Sequence, residues 1–265
     1  MESSHLERLE TWFQAFEGSL TAFSGGVDSA LVLFLSRRYL GSSGVGVISD
    51  SPSLKRSDLE IARKFCQTHG ITLLIIHTQE LDNPNYTANP VDRCFHCKSS
   101  LYTDLIGLQN KYPDYTLLNG TNVDDLLDYR PGLKAAEQNE IRSPLAECGL
   151  GKSDIRELAR HFDLALWDKP ASPCLSSRIP YGQPVTVEKL HQIETAEEII
   201  SELGFDRVRV RHIDGVARIE VPRADVPRLR QVLESVSGRM LELGFTSVET
   251  DDEGLVSGKL NRAIL

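Results

Sequence analysis

Long apolar runs are missing from this 265-residue chain: none approaches the roughly 18 residues that span a bilayer. The N-terminus is polar, without a secretion-type apolar core, so the expected location is the cytoplasm and no membrane partner is expected. Basic charge is also scarce. Lys and Arg number 29 against 38 Asp and Glu, a net charge of −9. Proteins that hold long nucleic acid carry a basic stripe, because phosphate neutralisation dominates that affinity, so this chain is a poor candidate for gripping tRNA. A small anionic substrate remains compatible with it. Five cysteines, an odd number with no secretion signal, argue against a disulfide scaffold and for reduced thiols with chemical work. The rest is ordinary: 40% hydrophobic and 25% charged, enough for one large domain or two smaller ones.

Short apolar runs at 20–23, 45–48, 73–76 and 115–118 read as buried strands, and helical patterns at 29–40, 54–69 and 97–111 lie between them. That alternation predicts an α/β fold, a parallel sheet with helices on both faces. The texture changes after Asp168. Residues 168–184 hold Pro170, Pro173, Pro180, Gly182 and Pro184, which a regular helix does not tolerate. Two amphipathic helices follow, each ending in the same four residues, Glu202-Leu203-Gly204-Phe205 and Glu242-Leu243-Gly244-Phe245, and each leading into a strand. With a further strand at 217–221 the order is α-β-β-α-β, the pattern of a small ferredoxin-like α+β sheet. The expected division is 1–168 for the α/β domain, 169–184 for a functional loop, and 185–265 for a small domain for substrate or oligomer contacts.

The run Thr21-Ala22-Phe23-Ser24-Gly25-Gly26-Val27-Asp28-Ser29 follows the first strand and opens a helix. Adjacent glycines let successive N–H groups point into one concavity, and at a helix N-terminus such a nest binds phosphate oxygens. Ser24 and Ser29 add hydroxyls, and Asp28 is placed to orient the loop or help hold Mg²⁺. No Gly-Lys-Ser/Thr ending is present, so this is not the loop of kinases and GTPases. The Ser24–Ser29 hexapeptide resembles the pyrophosphate loop of the ATP-pyrophosphatase superfamily, whose members split ATP between the α and β phosphates.

Arg93-Cys94-Phe95-His96-Cys97-Lys98 sits after a polar loop and just before a predicted helix, where a thiolate has its pKa lowered. A redox dithiol, half of a zinc site and part of a cluster site all match Cys94-x-x-Cys97. No second C-x-x-C exists to complete a zinc site, and Cys174, in a rigid proline-bounded loop beside Ser176, Ser177 and Arg178, offers a third thiolate. Cys66 falls at an apolar helix position, and Cys148 in a connector.

Long motifs sharpen the picture: Gly120-Thr121-Asn122-Val123-Asp124-Asp125, Asp128-Tyr129-Arg130-Pro131-Gly132-Leu133-Lys134, Ser143-Pro144-Leu145, and Trp167-Asp168-Lys169-Pro170-Ala171-Ser172-Pro173-Cys174. Together with Arg207-Val208-Arg209-Val210-Arg211-His212 and Arg218-Ile219-Glu220-Val221 they closely resemble the LarE family over nearly the whole chain. The resemblance implies an ATP-dependent sulfur transferase acting on a pyridinium mononucleotide, a precursor of the nickel-pincer cofactor. It implies one of two sulfur strategies. Either Cys174 surrenders its own sulfur, or Cys94, Cys97 and Cys174 ligate a [4Fe-4S] cluster whose open iron carries a transferable sulfide. All three positions are cysteine here, so the resemblance implies the cluster type, with sulfide or another sulfur donor upstream and a homo-oligomer as the expected assembly.

ATP and Mg²⁺ are expected at Ser24, Gly25, Gly26, Asp28, Ser29 and Asp125, with Asp124 as an alternative to Asp125. On a strand, Arg207, Arg209 and Arg211 share one face. A two-residue turn at Asp214-Gly215 would set Arg209 opposite Glu220 and Arg211 opposite Arg218. Like charges so opposed repel, and an anion between them would relieve the penalty. Arg178, Arg209, Arg211 and Glu220 are therefore the expected substrate-binding set. Three rivals remain: an amide-forming synthetase, which has no use for Cys94, Cys97 and Cys174; a tRNA thiolase, which wants a basic surface; and a nucleotide sensor or cluster scaffold that never turns over.

Overall fold

Valine, leucine and isoleucine runs with no alternation point to a sheet covered on both faces, and the computed structural model has its central strands buried almost throughout and its edge strands partly exposed. It describes residues 2–127, 131–170, 172–256 and 258–263. In chain order the elements are α1 Glu2–Phe13, β1 Gly18–Ala22, α2 Val27–Leu40, β2 Gly44–Ser49, α3 Arg56–Thr68, β3 Thr72–Ile76, α4 Pro84–Thr87, α5 Arg93–Leu108, β4 Tyr115–Leu118, α6 Val123–Leu126, α7 Pro131–Gln138, α8 Pro144–Glu147, α9 Lys152–His161, α10 Val187–Glu202, β5 Arg209–Ile213, β6 Val216–Glu220, α11 Val226–Glu242 and β7 Ser247–Thr250. The chain divides into two compact units, residues 1–80 with 92–172, and residues 81–91 with 173–265.

In the first unit the strands are parallel in the order β3-β2-β1-β4. Alternate side chains of β1 and β2 point to opposite cores. Leu20, Ala22, Val45 and Val47 pack with Tyr102 and Leu105 of α5 and Ala135 and Ala136 of α7. Phe23 and Ile48 pack on the other face with α1, α2, α3 and α9. The chain runs outward from β1 through β2 to β3, then returns to pair β4 with β1 on the opposite side. Strand order therefore reverses between β1 and β4, and the crevice beyond their carboxyl ends is where doubly wound sheets bind ligands. The expected strands and helices are all present. The largest difference is in α5, which runs Arg93–Leu108 where 97–111 was expected, so Cys94 lies inside the helix together with Cys97.

The second unit keeps the order α10-β5-β6-α11-β7, with β5 antiparallel to β6 and β6 parallel to β7. Asp214 and Gly215 join β5 to β6 at φ 49° and 87°, the double left-handed turn whose twist matches a hairpin. The duplicated Glu-Leu-Gly-Phe ends of α10 and α11 have a common physical cause. Gly204 (φ 81°) and Gly244 (φ 100°) turn the chain left-handed just past each helix, and Phe205 and Phe245 then drop into one core with Val210, Ile219 and Met240. The segment 81–91 braces the proline-rich loop: Tyr86 Oη and Ser176 Oγ are 2.6 Å apart, and Asn89 Nδ2 donates to Pro180 O at 2.7 Å and Gln183 O at 2.9 Å.

A side chain at residue 244 would be strained by its φ, and its Cβ would sit 2.6 Å from Gln192 Nε2. Gly244→Ala is therefore expected to cost about 1 kcal/mol or more, whereas Ala at Gly238, which meets nothing within 4 Å, stabilises by a few tenths. Urea denaturation of the two variants checks this.

Candidate functional site

The loop after β1 opens at the switch point. Gly25 takes φ 71°, and Gly26 stands at the N-cap of α2 in an extended conformation with no side chain capping the helix. The first-turn N–H groups of α2 thus have no acceptor within the helix, and the helix dipole adds positive potential there. The serines shape the turn from inside. Ser29 Oγ accepts the Ser24 N–H at 3.2 Å, donates to Gly26 O at 3.1 Å, and lies 3.1 Å from Ser24 Oγ. Ser24 is exposed, Asp28 half-buried and Ser29 buried. Gly120, at the end of β4, seals the back. A Cβ there would lie 2.6 Å from Ser29 N, so only glycine lets β4 approach the loop this closely.

The two aspartates beyond β4 have separate tasks. Asp124 Oδ2 accepts the Lys152 N–H at 2.6 Å and so caps α9. Asp125 is 4% exposed, with Lys152 Nζ 3.4 Å from its Oδ1. Asn122 Oδ1 accepts the Asp125 N–H, while Asn122 Nδ2 is fully buried with no hydrogen-bond partner among the described residues. Asp128, Tyr129 and Arg130 of the long motif lie outside the described residues.

Sequence reasoning assigned no role to Asp58 or Lys169, yet they meet behind the loop. Lys169 Nζ donates to Gly25 O at 2.8 Å and to Asp58 Oδ1 at 2.9 Å, and Ser172 Oγ donates to Asp58 Oδ2 at 2.8 Å. A signal existed: Asp58 occupies the same face of α3 as the buried Ala62 and Phe65, where an apolar residue belongs.

Among the thiols, Cys94 is exposed and Cys97 half-buried, three residues apart near the start of α5, so both project from one side of the helix. Cys174 is half-buried in the second unit, at the N-cap of the 3₁₀ turn Leu175–Arg178. Cys66 and Cys148 are buried, and burial pushes the Cys66 thiol up to about 12 and raises that of Cys148. The pair of Cys94 and Cys97 suits two ligands of a cluster in donor type and spacing. The third thiol is in the other unit, and among the described residues no group of three or more His, Cys, Asp or Glu is gathered to hold a metal ion.

The expected substrate arginines have unequal freedom. Arg178 is 2% exposed, and its guanidinium is fully engaged inside the unit. Nε donates to Glu197 Oε1 at 2.8 Å, Nη2 to Glu197 Oε2 at 3.3 Å, and Nη1 to Pro173 O, Cys174 O and Ser177 Oγ. Its place in the structure is that of a clasp on the Cys174 backbone. Glu197, missed in the sequence, was visible as an acid on the apolar stripe of α10 between Ile193 and Ile200. The hairpin register is the expected one, Arg209 opposite Glu220 and Arg211 opposite Arg218. Repulsion between Arg211 and Arg218 is relieved differently than expected, by protein carboxylates: Arg211 pairs bidentately with Glu220 at 2.9 and 3.0 Å, and Arg218 pairs with Glu249. Arg211 also donates to Ser177 O at 2.9 Å. Arg209 is half-buried, and its pKa is lowered by burial first and then by the charges of Arg178 and Arg211, only partly offset by Glu220 and Glu197. Arg207 precedes β5 and is exposed.

No family model matches the chain. Individual proteins do. An uncharacterized protein of Synechocystis sp. is 43% identical over 100% of this chain and 99% of its own length. The pyridinium-3,5-bisthiocarboxylic acid mononucleotide synthase of Lactiplantibacillus plantarum is 34% identical over 91% of this chain and 87% of its own. At 24% identity, 70% of this chain matches 55% of one subunit of the glutamine-hydrolyzing GMP synthase of Saccharolobus islandicus. Fold and loop define a nucleotide-binding α/β domain of the pyrophosphate-loop type. Within that class, the chain belongs to the LarE family.

Two outcomes follow for the thiols and the clasp. At pH 8, iodoacetamide should modify Cys94, Cys97 and Cys174 well before Cys66 and Cys148, because burial shields the latter two from the reagent and raises their pKa values; peptide mass spectrometry reads the order. Replacing Glu197 by Ala leaves a buried guanidinium unpaired and should cost about 3–5 kcal/mol in chemical denaturation.

Proposed function

We propose that this protein is an ATP-dependent sulfur transferase that adenylates a carboxylate of a pyridinium mononucleotide and then replaces the AMP by sulfur. The observation that carries this reading is the uncapped start of α2 behind Ser24-Gly25-Gly26, set at the switch point of a parallel sheet in a chain that shares 34% identity with a bisthiocarboxylic acid mononucleotide synthase.

A carboxylate is a poor electrophile because its leaving group would be oxide. Its oxygen attacks the α-phosphorus of ATP, the bond from that phosphorus to the bridging oxygen breaks, and pyrophosphate leaves with the electron pair. The acyl adenylate then carries a good leaving group. A sulfur nucleophile attacks the acyl carbon, AMP departs, and a thiocarboxylate remains. Main-chain donors at Gly26 and the first turn of α2 bind the charge that develops on the pyrophosphate. Asp28 and Asp125 are the carboxylates to which Mg²⁺ is assigned, and neutralisation of phosphate charge is what the ion supplies.

Arg209 is the cation assigned to the substrate's phosphate or carboxylates. Arg211 and Glu220 form a fixed pair beside it, and Arg178 clasps the Cys174 backbone. For the sulfur we favour the cluster strategy, because Cys94 and Cys97 are both accessible to solvent and project from one side of a single helical turn. A [4Fe-4S] group held by Cys94, Cys97 and Cys174 would supply an iron-bound sulfide as the nucleophile.

Pyrophosphate release tests the reaction. With ATP, Mg²⁺ and pyridinium-3,5-dicarboxylic acid mononucleotide, the parent protein should release pyrophosphate in an acceptor-dependent way, and Arg209→Ala should raise the acceptor concentration needed by about tenfold or more. Release that ignores the acceptor, or none at all, sinks the proposal. Anaerobic reconstitution tests the ligands separately: the parent should take up about four iron and four sulfide per chain. Cys94→Ala or Cys174→Ala retaining the parent's iron would defeat the assignment.

A further inference from the structure

Lys169 and Asp58 hold the peptide between Gly25 and Gly26. The Gly25 carbonyl and the Gly26 N–H belong to the same planar trans unit and point in opposite directions. Between two glycines that unit turns over with little hindrance, since neither residue has a Cβ to oppose it. Turned over, it would present a carbonyl oxygen where a phosphate must bind. The Lys169 ammonium, 2.8 Å from Gly25 O, fixes the carbonyl on the inner side. Lys169 is fixed in turn by Asp58 Oδ1 at 2.9 Å, and the other oxygen of Asp58 by Ser172 Oγ at 2.8 Å. The lysine and aspartate side chains are only 15% and 9% exposed, so the pair is screened little by solvent.

We infer that Lys169, held by Asp58, is a positioning residue that keeps the Gly26 N–H aimed at the nucleotide's phosphates. The inference rests on the reading of Ser24–Ser29 as the ATP loop. The lysine acts from behind the turn, through the peptide, and touches no reacting atom. Ser172 completes the device two residues ahead of Cys174, on the same stretch of chain that carries the lysine.

The test is calorimetric titration of the full-length protein with the α,β-methylene analogue of ATP and Mg²⁺, with a thermal melt of each variant recorded without nucleotide. Lys169→Met should bind the analogue about tenfold or more weakly, the loss expected for one charge-assisted hydrogen bond. In the pyrophosphate assay the same variant should show a raised KM for ATP, with the KM for the acceptor unmoved. A binding constant equal to the parent's, with only the melting point lowered, would show a merely structural ion pair and overturn the inference. If Lys169→Met fails to melt cooperatively, Asp58→Asn decides. It keeps the size and one acceptor but removes the charge that holds the ammonium. Its affinity should fall by about threefold or more, and an unchanged affinity overturns the inference. A parent protein that does not bind the analogue refutes the ATP reading itself, an outcome distinct from equal binding by parent and variant.

Discussion

A phosphate-binding turn must leave its own N–H groups without partners inside the protein, and most of what surrounds α2 serves that requirement. Any serine or aspartate placed to cap the helix would satisfy those donors and close the site, and the N-cap here is glycine. Ser29 turns its hydroxyl back on the Gly26 carbonyl and the Ser24 N–H, bonds that stiffen the turn without drawing on the first-turn donors. Gly120 lets β4 press against the start of α2 from below. The order β3-β2-β1-β4 then opens the crevice on the side to which the donors point.

In the second unit the governing constraint is the cost of burying charge. Arg178 and Arg211, at 2% and 5% exposure, would each be intolerable alone, and each has a glutamate of its own. Glu197 accepts the Val210 N–H as well, so the pair that holds the Cys174 loop also fixes β5. Arg209 has no such carboxylate among the described residues, and its two neighbours repel it. A cation in that position gains most from an anion brought by a ligand. The charge proposed to meet the ligand is thus a remainder, left after Arg178 and Arg211 have been paired.

Features governed by near neighbours in the sequence were legible there. Four strands, the Asp214-Gly215 turn and its register all followed from periodicity and turn chemistry. The start of α5 was missed although Asp92, a residue type favoured at N-caps, stands just before it; its side chain makes no capping hydrogen bond. Side-chain direction over long separations was the larger gap. Nothing local says that Lys169 returns to residue 25 across 144 positions, or that Arg178 turns inward to Glu197. Asp124 was equally opaque: nothing near it in the sequence says that its carboxylate caps a helix that starts 28 residues later. Acids on the buried faces of α3 and α10 were the readable trace of these partnerships.

The double left-handed turn between β5 and β6 fixes more than a corner. Side chains alternate across a strand, so one residue inserted into that turn would slide β5 against β6 by a single step and exchange its faces. Val210 and His212 would then stand where Arg209 and Arg211 stand now. The length of this corner thus decides which side chains each face of the small sheet displays.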